Sequence, residues 1–196
     1  MNPLLAGERL RVAQVIGCFE NGGAQRQAYN LVLGLSALDI DARGIAVRYA
    51  GDFVRWNAPT TPFIELGADR SNVLTVARAA LRMRRLVATW RPHALHVQGT
   101  DSLPFVHFCL RGLRRRPLTF FTWQDSGQVL DQKGRARRRL VRALAACTAV
   151  FGSSTDVANR LSAASGLPNV GVFHGGVDEA PATRPSAPRP LQARPT

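Results

Sequence analysis

Lysine is nearly missing from this chain: Lys133 stands alone against 25 arginines. No uninterrupted apolar run reaches the length that spans a bilayer, which excludes a transmembrane helix from the expected elements. The first residues, MNPLLAGERLRV, lack a basic segment followed by a sustained apolar one, so no secretory signal is expected. Only three cysteines occur, Cys18, Cys109 and Cys147, and no C-x-x-C pair is among them. A disulfide framework and a zinc knuckle are therefore excluded, and a reducing cytoplasm is the expected compartment. Gly17 and Gly22 have the glycine spacing of a phosphate-binding Walker loop, but Gly23-Ala24 stands where that loop needs lysine and then serine or threonine. This excludes an ATPase or GTPase. A G-x-G-x-x-G run is also missing, which counts against a dinucleotide-dependent oxidoreductase. No repeat recurs at a solenoid period.

What is present describes one α/β domain. A length of 196 residues with 45% hydrophobic side chains suffices for a single buried core. Short β-branched or apolar runs over 11–16, 44–49, 63–66, 94–98, 118–122, 148–151 and 170–173 alternate with helix-period segments over 24–37, 72–90, 102–113, 134–146 and 155–165. That alternation predicts βαβ units and a doubly wound, Rossmann-like parallel sheet. In the second helix Val73, Ala77, Ala80, Leu81 and Val87 form the expected core stripe, with Ser71 as a candidate N-cap and Pro92 beyond its end. Ala28, Leu31 and Leu35 form the stripe of the first. Residues 179–196 hold five of the twelve prolines and no aromatic residue, and are expected to be a disordered tail.

The net charge of +13 is almost wholly guanidinium, gathered at Arg82, Arg84 and Arg85, at Arg111 and Arg114 to Arg116, and at Arg135, Arg137 to Arg139 and Arg142. Positions 135, 138, 139 and 142 share one helical face. A solvated face explains such clusters; so does an anionic membrane surface, to which each basic residue contributes on the order of 1 kcal/mol. Nucleic acid ranks last among these partners, because the clusters carry no interleaved aromatics and no recognised nucleic-acid module is visible.

Four places carry candidate chemistry. Gly22 and Gly23 follow the first strand and open a helix, where unpaired amides and the helix dipole favour an anion; a turn with no ligand explains the glycines as well. His96 and Gln98 share a face at the end of the fourth strand and point toward the carboxyl edge, where such sheets bind ligands. His93 and His96 are three apart, hence on opposite faces, so they are not a zinc pair. Gln124 and Asp125 follow the fifth strand. Asp125 suits proton transfer or sugar binding, and equally a cap or turn. Ser153 and Ser154 follow the sixth strand, where their hydroxyls cap a helix, bind a ligand or do both.

In order and spacing these residues resemble the N-terminal domain of the family 4 glycosyltransferases, whose GT-B architecture sets two Rossmann-like domains face to face. The resemblance covers about residues 10–178 and rests on RVAQVIGCFENGGAQRQAYNL, WRPHALHVQG, TFFTWQDSG, and TAVFGSSTDVANRL continuing to VFHGGVD. It implies a glycosyltransferase domain over 1–178 that holds a sugar or lipid acceptor, while a second domain holds most of a nucleotide-diphosphate sugar. Transfer with retention of anomeric configuration, usually without a metal, would serve polysaccharide, lipopolysaccharide or glycolipid assembly. Gly22 and Gly23 would approach the donor diphosphate or the acceptor, Ser153 and Ser154 would border the cleft, and Gly176-Val177-Asp178 would lead into the interdomain connection. Gln124 stands where the family commonly has histidine, and an amide hydrogen-bonds a sugar but cannot carry a proton. With only a tail after Asp178, the expectation is an acceptor half that turns over slowly alone and docks a separately encoded donor domain. Its expected place is the cytoplasm, peripheral to the membrane. The alternatives are a noncatalytic module, or the remnant of a truncated gene, recognising a sugar, a lipid phosphate or a protein, and an intact small enzyme using the glycine turn for a nucleotide.

Overall fold

In the computed structural model, residues 8–19, 22–49, 63–124 and 134–174 are described. The tail, Asp125 and the Gly176 to Asp178 segment lie outside them. The described residues hold seven strands and five helices: β1 Arg11–Cys18, α1 Gly23–Ala37, β2 Asp41–Tyr49, β3 Phe63–Glu65, α2 Val73–Trp90, β4 Ala94–Gln98, α3 Ser102–Leu110, β5 Leu118–Trp123, α4 Arg135–Ala145, β6 Ala149–Gly152, α5 Thr155–Ser165 and β7 Val170–Val172. All pairings are parallel, in the order β3-β2-β1-β4-β5-β6-β7. This is the doubly wound, Rossmann-like sheet that the alternation predicts. Among the described residues no helix is long and apolar enough to cross a membrane.

The two faces of the sheet are filled unequally. Ala13, Val15, Ile45, Val47, Leu95, Val97, Phe121 and Val150 alternate onto one face and pack against Met83 and Val87 of α2, Val106 of α3, Leu144 of α4 and Leu161 of α5. On the other, Ile16, Phe19 and Ala46 meet Ala28 and Tyr29 of α1, with Phe63 against them. Right-handed crossovers account for the split. Moving from β1 to β2 puts α1 on one side, and the jump from β3 past β1 to β4 puts α2 on the other.

Four local expectations shift. Asn72, not Ser71, caps α2, its Oδ1 accepting from the Leu74 and Thr75 amides at 3.0 and 3.4 Å, while Ser71 bonds Asp69 instead. The core stripe of α2 is Ala79, Ala80, Met83, Val87 and Trp90, with Val73 80% and Leu81 55% exposed. Trp90 fixes that rotation: its Nε1 donates to Asp41 Oδ2 at 2.6 Å, and the Arg43 guanidinium lies 4.4 Å from its ring centroid. In α1 the buried residues are Ala28, Tyr29 and Val32, because Tyr29 stacks on Phe63 at 5.5 Å and turns Leu31 and Leu35 partly outward. Finally, α3 stops at Leu110, since Gly112 adopts φ +75° and no helix continues through that conformation.

Gly152, the last residue of β6, is required by close approach. A Cβ there would stand 2.4 Å from the Ala158 nitrogen and 2.8 Å from its Cα, backbone atoms that cannot swing aside. Gly152→Ala is expected to lower unfolding free energy by about 1–3 kcal/mol. Chemical denaturation checks this, and an unchanged midpoint would show that α5 shifts freely on the sheet.

Candidate functional site

The strand order reverses between β1 and β4, so the loops leaving their carboxyl ends diverge and open a crevice. Gln98 ends β4, Gln124 follows β5, and Gly22 and Gly23 open α1 just after β1. The structure joins three of these elements through amides. Gln124 Nε2 donates to Gln27 Oε1 on α1 and, at 3.5 Å, to Gln98 Oε1. Gln98 has no exposed surface, and its Nε2 is buried without a partner among the described residues. Leaving a buried donor unpaired costs about 1–3 kcal/mol, so a ligand hydroxyl able to accept from it would recover that cost. Amides offer donors and acceptors without charge, which suits a hydroxyl-rich ligand.

The start of α1 is electropositive and open. Gly22 sits at the cap in extended backbone, supplies no side-chain acceptor, and is followed by no acidic residue in the first turn. A Cβ on Gly23 would meet nothing within 4 Å. By contrast, the start of α5 is occupied, since Ser154 Oγ accepts from the Val157 amide at 3.3 Å and Asp156 lies in its first turn. Ser154 is thus committed to capping, whereas the Ser153 hydroxyl has no partner among the described residues and only its amide is bonded, to Trp123 O at 2.9 Å.

His96 lies further inside the sheet, its Nε2 2.7 Å from Thr122 Oγ1 and its ring 6.0 Å from that of Phe173. Burial pushes its pKa down to about 4, so it is neutral near pH 7. His93 is tied at the opposite edge, its Nδ1 accepting from the Arg11 amide at 3.0 Å. Burial likewise pushes the Cys109 thiol up to about 12, against a smaller opposing effect of Arg84, and the Cys147 thiol up to about 12, so neither is a nucleophile at neutral pH. Among the described residues no three His, Cys, Asp or Glu side chains gather as a metal site.

One constellation was not read from the sequence. Asp101, between β4 and α3, accepts from Arg70 at 2.6 Å and pairs with Arg48 of β2 at 3.5 Å. A Cβ on Gly17 would lie 3.0 Å from the Asp101 carboxylate, so this carboxylate sits at the end of β1, in the crevice. Arg48 and Arg70 also line a cavity of about 400 Å³ beyond β2 and β3. The three residues are 22 to 53 positions apart, and only the place of Asp101 just beyond a strand end signalled the site.

The sequence profile of Glycosyltransferase Family 4 matches residues 21–180. No curated protein sequence matches the chain. Among solved structures, the lipopolysaccharide outer core galactosyltransferase WaaB is similar at TM-score 0.61 and 12% identity, with 79% of this chain and 42% of that one covered. Acinetobacter baumannii MurG is similar at 0.58 and 13%, covering 85% and 46%. The UDP-GlcNAc 2-epimerase of Methanocaldococcus jannaschii is similar at 0.56 and 12%, covering 83% and 45%. The chain spans less than half the length of each. At such identities these structures share the fold.

Two expectations follow from the geometry. A side chain at position 23 meets only open space, so Gly23→Val is expected to leave stability within about 0.5 kcal/mol while blocking an anion at the α1 start. Paired melting and phosphate-ligand titration test this; unchanged binding would remove the anion from that turn. The lowered pKa of His96 means that the unfolded chain binds the extra proton first. Stability is fully present above pH 6.5 and is lost as pH falls toward 4. The loss is expected to reach roughly 2 kcal/mol by about pH 5. His96→Gln, which keeps a hydrogen-bonding group near Thr122, is expected to flatten that slope; an equal slope would place the proton uptake elsewhere.

Proposed function

The chain belongs to glycosyltransferase family 4, and from that premise we propose that its carboxyl edge is the acceptor-side wall of a sugar-transfer cleft. A nucleotide-diphosphate sugar would give up its sugar, with retained configuration, to a glycan or lipid acceptor. The domain so defined runs over 1–178. The observation that carries the proposal is the amide link between Gln27, Gln124 and Gln98, set beside the open start of α1. Sugar hydroxyls would bond the amides and the Ser153 hydroxyl, while the diphosphate would pass the Gly22-Gly23 turn. Gln124 would orient a hydroxyl without exchanging a proton. Asp125, which follows it directly, would be the proton acceptor on this edge. His96, held neutral, would brace Thr122 and the strand ends behind the amides.

The departing diphosphate needs more stabilisation than one helix start provides. A helix dipole contributes at most about 2 kcal/mol, whereas a single donor aimed at a developing oxyanion contributes about 3–4 kcal/mol. The proposal therefore includes a second domain facing this edge, on the same or a separate polypeptide, holding most of the donor. A cytoplasmic position, peripheral to an anionic membrane and serving polysaccharide or glycolipid assembly, is part of the same reading. Arg135, Arg138, Arg139 and Arg142 are all exposed on α4 and would face the lipid.

One observation favours a noncatalytic sugar-binding module instead: Gln124 occupies a place where the family commonly has histidine. Calorimetric titration of the chain with uridine and guanosine diphosphate sugars, followed by transfer assays with and without a candidate donor domain, separates the two. Transfer that appears on adding the donor domain, and falls at least tenfold in Gln124→Ala, is the expected result. Acceptor binding with no transfer under any pairing would leave the binding module.

A further inference from the structure

A second concavity lies at the opposite edge of the sheet from this crevice. A groove of about 900 Å³ opens at the amino ends of β1, β4 and β5, rimmed by Arg11, Arg91, Arg114, Arg115 and Arg116. Among the described residues Glu8 is the one acidic residue lining it, 3.7 Å from Arg11 and 3.9 Å from His93. Arg91 and Arg114 to Arg116 are exposed and have no side-chain partner among the described residues. Val87, Leu113 and Leu118 give the same groove an apolar wall, with Leu118 53% exposed.

Helix ends do not explain this concentration of charge. The carboxyl ends of α2 and α3 lie beside the groove and each carries about half a negative charge, so together they offset about one guanidinium of the excess. Crowding the remainder around one concavity raises the free energy of the unliganded chain. The backbone shows a second local cost, because Arg91 caps α2 in the left-handed region at φ +52°, where glycine is the favoured residue. A guanidinium is held at that position at the expense of the cheaper turn.

We propose that this groove binds a phosphate ester: a group with two or more negative charges, held bidentately by Arg114, Arg115 and Arg91, whose apolar or aromatic moiety lies on Val87, Leu113 and Leu118. Its concavity fits one small ligand or one headgroup. A flat charged surface would not need the apolar wall.

Two sources share that chemistry, a soluble nucleotide and a lipid phosphate, and the test separates them. Inorganic pyrophosphate and uridine diphosphate are titrated into the full chain, and sedimentation is followed with phosphatidylcholine vesicles with and without phosphatidic acid. Each is repeated with Arg114→Gln/Arg115→Gln, with Gly23→Val, and with Arg135→Gln/Arg138→Gln/Arg142→Gln on α4.

The expected result is a binding event that weakens roughly tenfold in the Arg114/Arg115 variant and persists in the other two, apart from any second event at the α1 start, which Gly23→Val alone removes. A soluble probe giving it identifies a nucleotide or free phosphate; phosphatidic acid vesicles alone giving it identify a lipid. The same double variant is expected to melt at a higher temperature than the parent without ligand, since it removes repulsion. A lower melting temperature would make these arginines structural and overturn the proposal. So would binding lost only with Gly23, which belongs to the crevice, or only with the α4 arginines, or no binding of any probe at millimolar concentration. Loss at Gly23 with retention at the groove, or the reverse, keeps this inference and the transferase reading separable.

Discussion

The reversal of strand order between β1 and β4 is the constraint on which the rest of this domain depends. Parallel strands require crossovers, and crossovers of one hand put α1 on one face and α2 to α5 on the other. At the reversal, helices from both faces start side by side. The bond from Gln124 to Gln27 joins the end of β5 to α1 across the crevice, and Asp101 stands in it against Gly17. A sheet wound in one direction would bring neither pair together.

The same topology polarises the domain. Helix starts collect at the carboxyl edge and helix ends at the amino edge, giving the first a positive and the second a negative background. Side chains answer these backgrounds differently. At the carboxyl edge Arg48 and Arg70 converge on Asp101, which neutralises part of their charge. At the amino edge the arginines exceed what the helix ends and Glu8 offset. Crowded cations depress one another's proton affinity, and lysine would lose charge under that pressure. A guanidinium does not, which gives a physical reason for arginine wherever these clusters form.

Much of the fold was legible because it depends on periodicity. Every predicted strand and helix is found, since a run such as ALHVQ or the helix-period segment over 155–165 reads the same alone as in the chain. Which face of a helix turns inward was less legible. Ala28, Ala80 and Val87 kept their expected places, but Leu31, Leu35, Val73 and Leu81 yielded to Tyr29, Met83 and Trp90. At the site, glycine and polar residues just past strand ends could be found by position. The Arg48, Arg70 and Asp101 cluster could not, because the strand order brings one strand and two connections together to assemble it.

The chemistry of the crevice is set by what its groups cannot do. Gln124 has no titratable proton, Gln98 is buried and neutral, and His96 loses its charge to burial well before neutral pH. In the proposed site, recognition by these groups would be through direction rather than charge: each amide would set where a hydroxyl lies, and the Gln27 to Gln98 link fixes the amides relative to one another. On the reading proposed for this edge, it orients an acceptor and leaves activation of the donor to groups across the cleft. That division has an energetic logic. The amide part of this wall can be buried when a second domain closes on it without the desolvation cost of a charged group, which leaves that cost to Asp101 and the arginines paired with it.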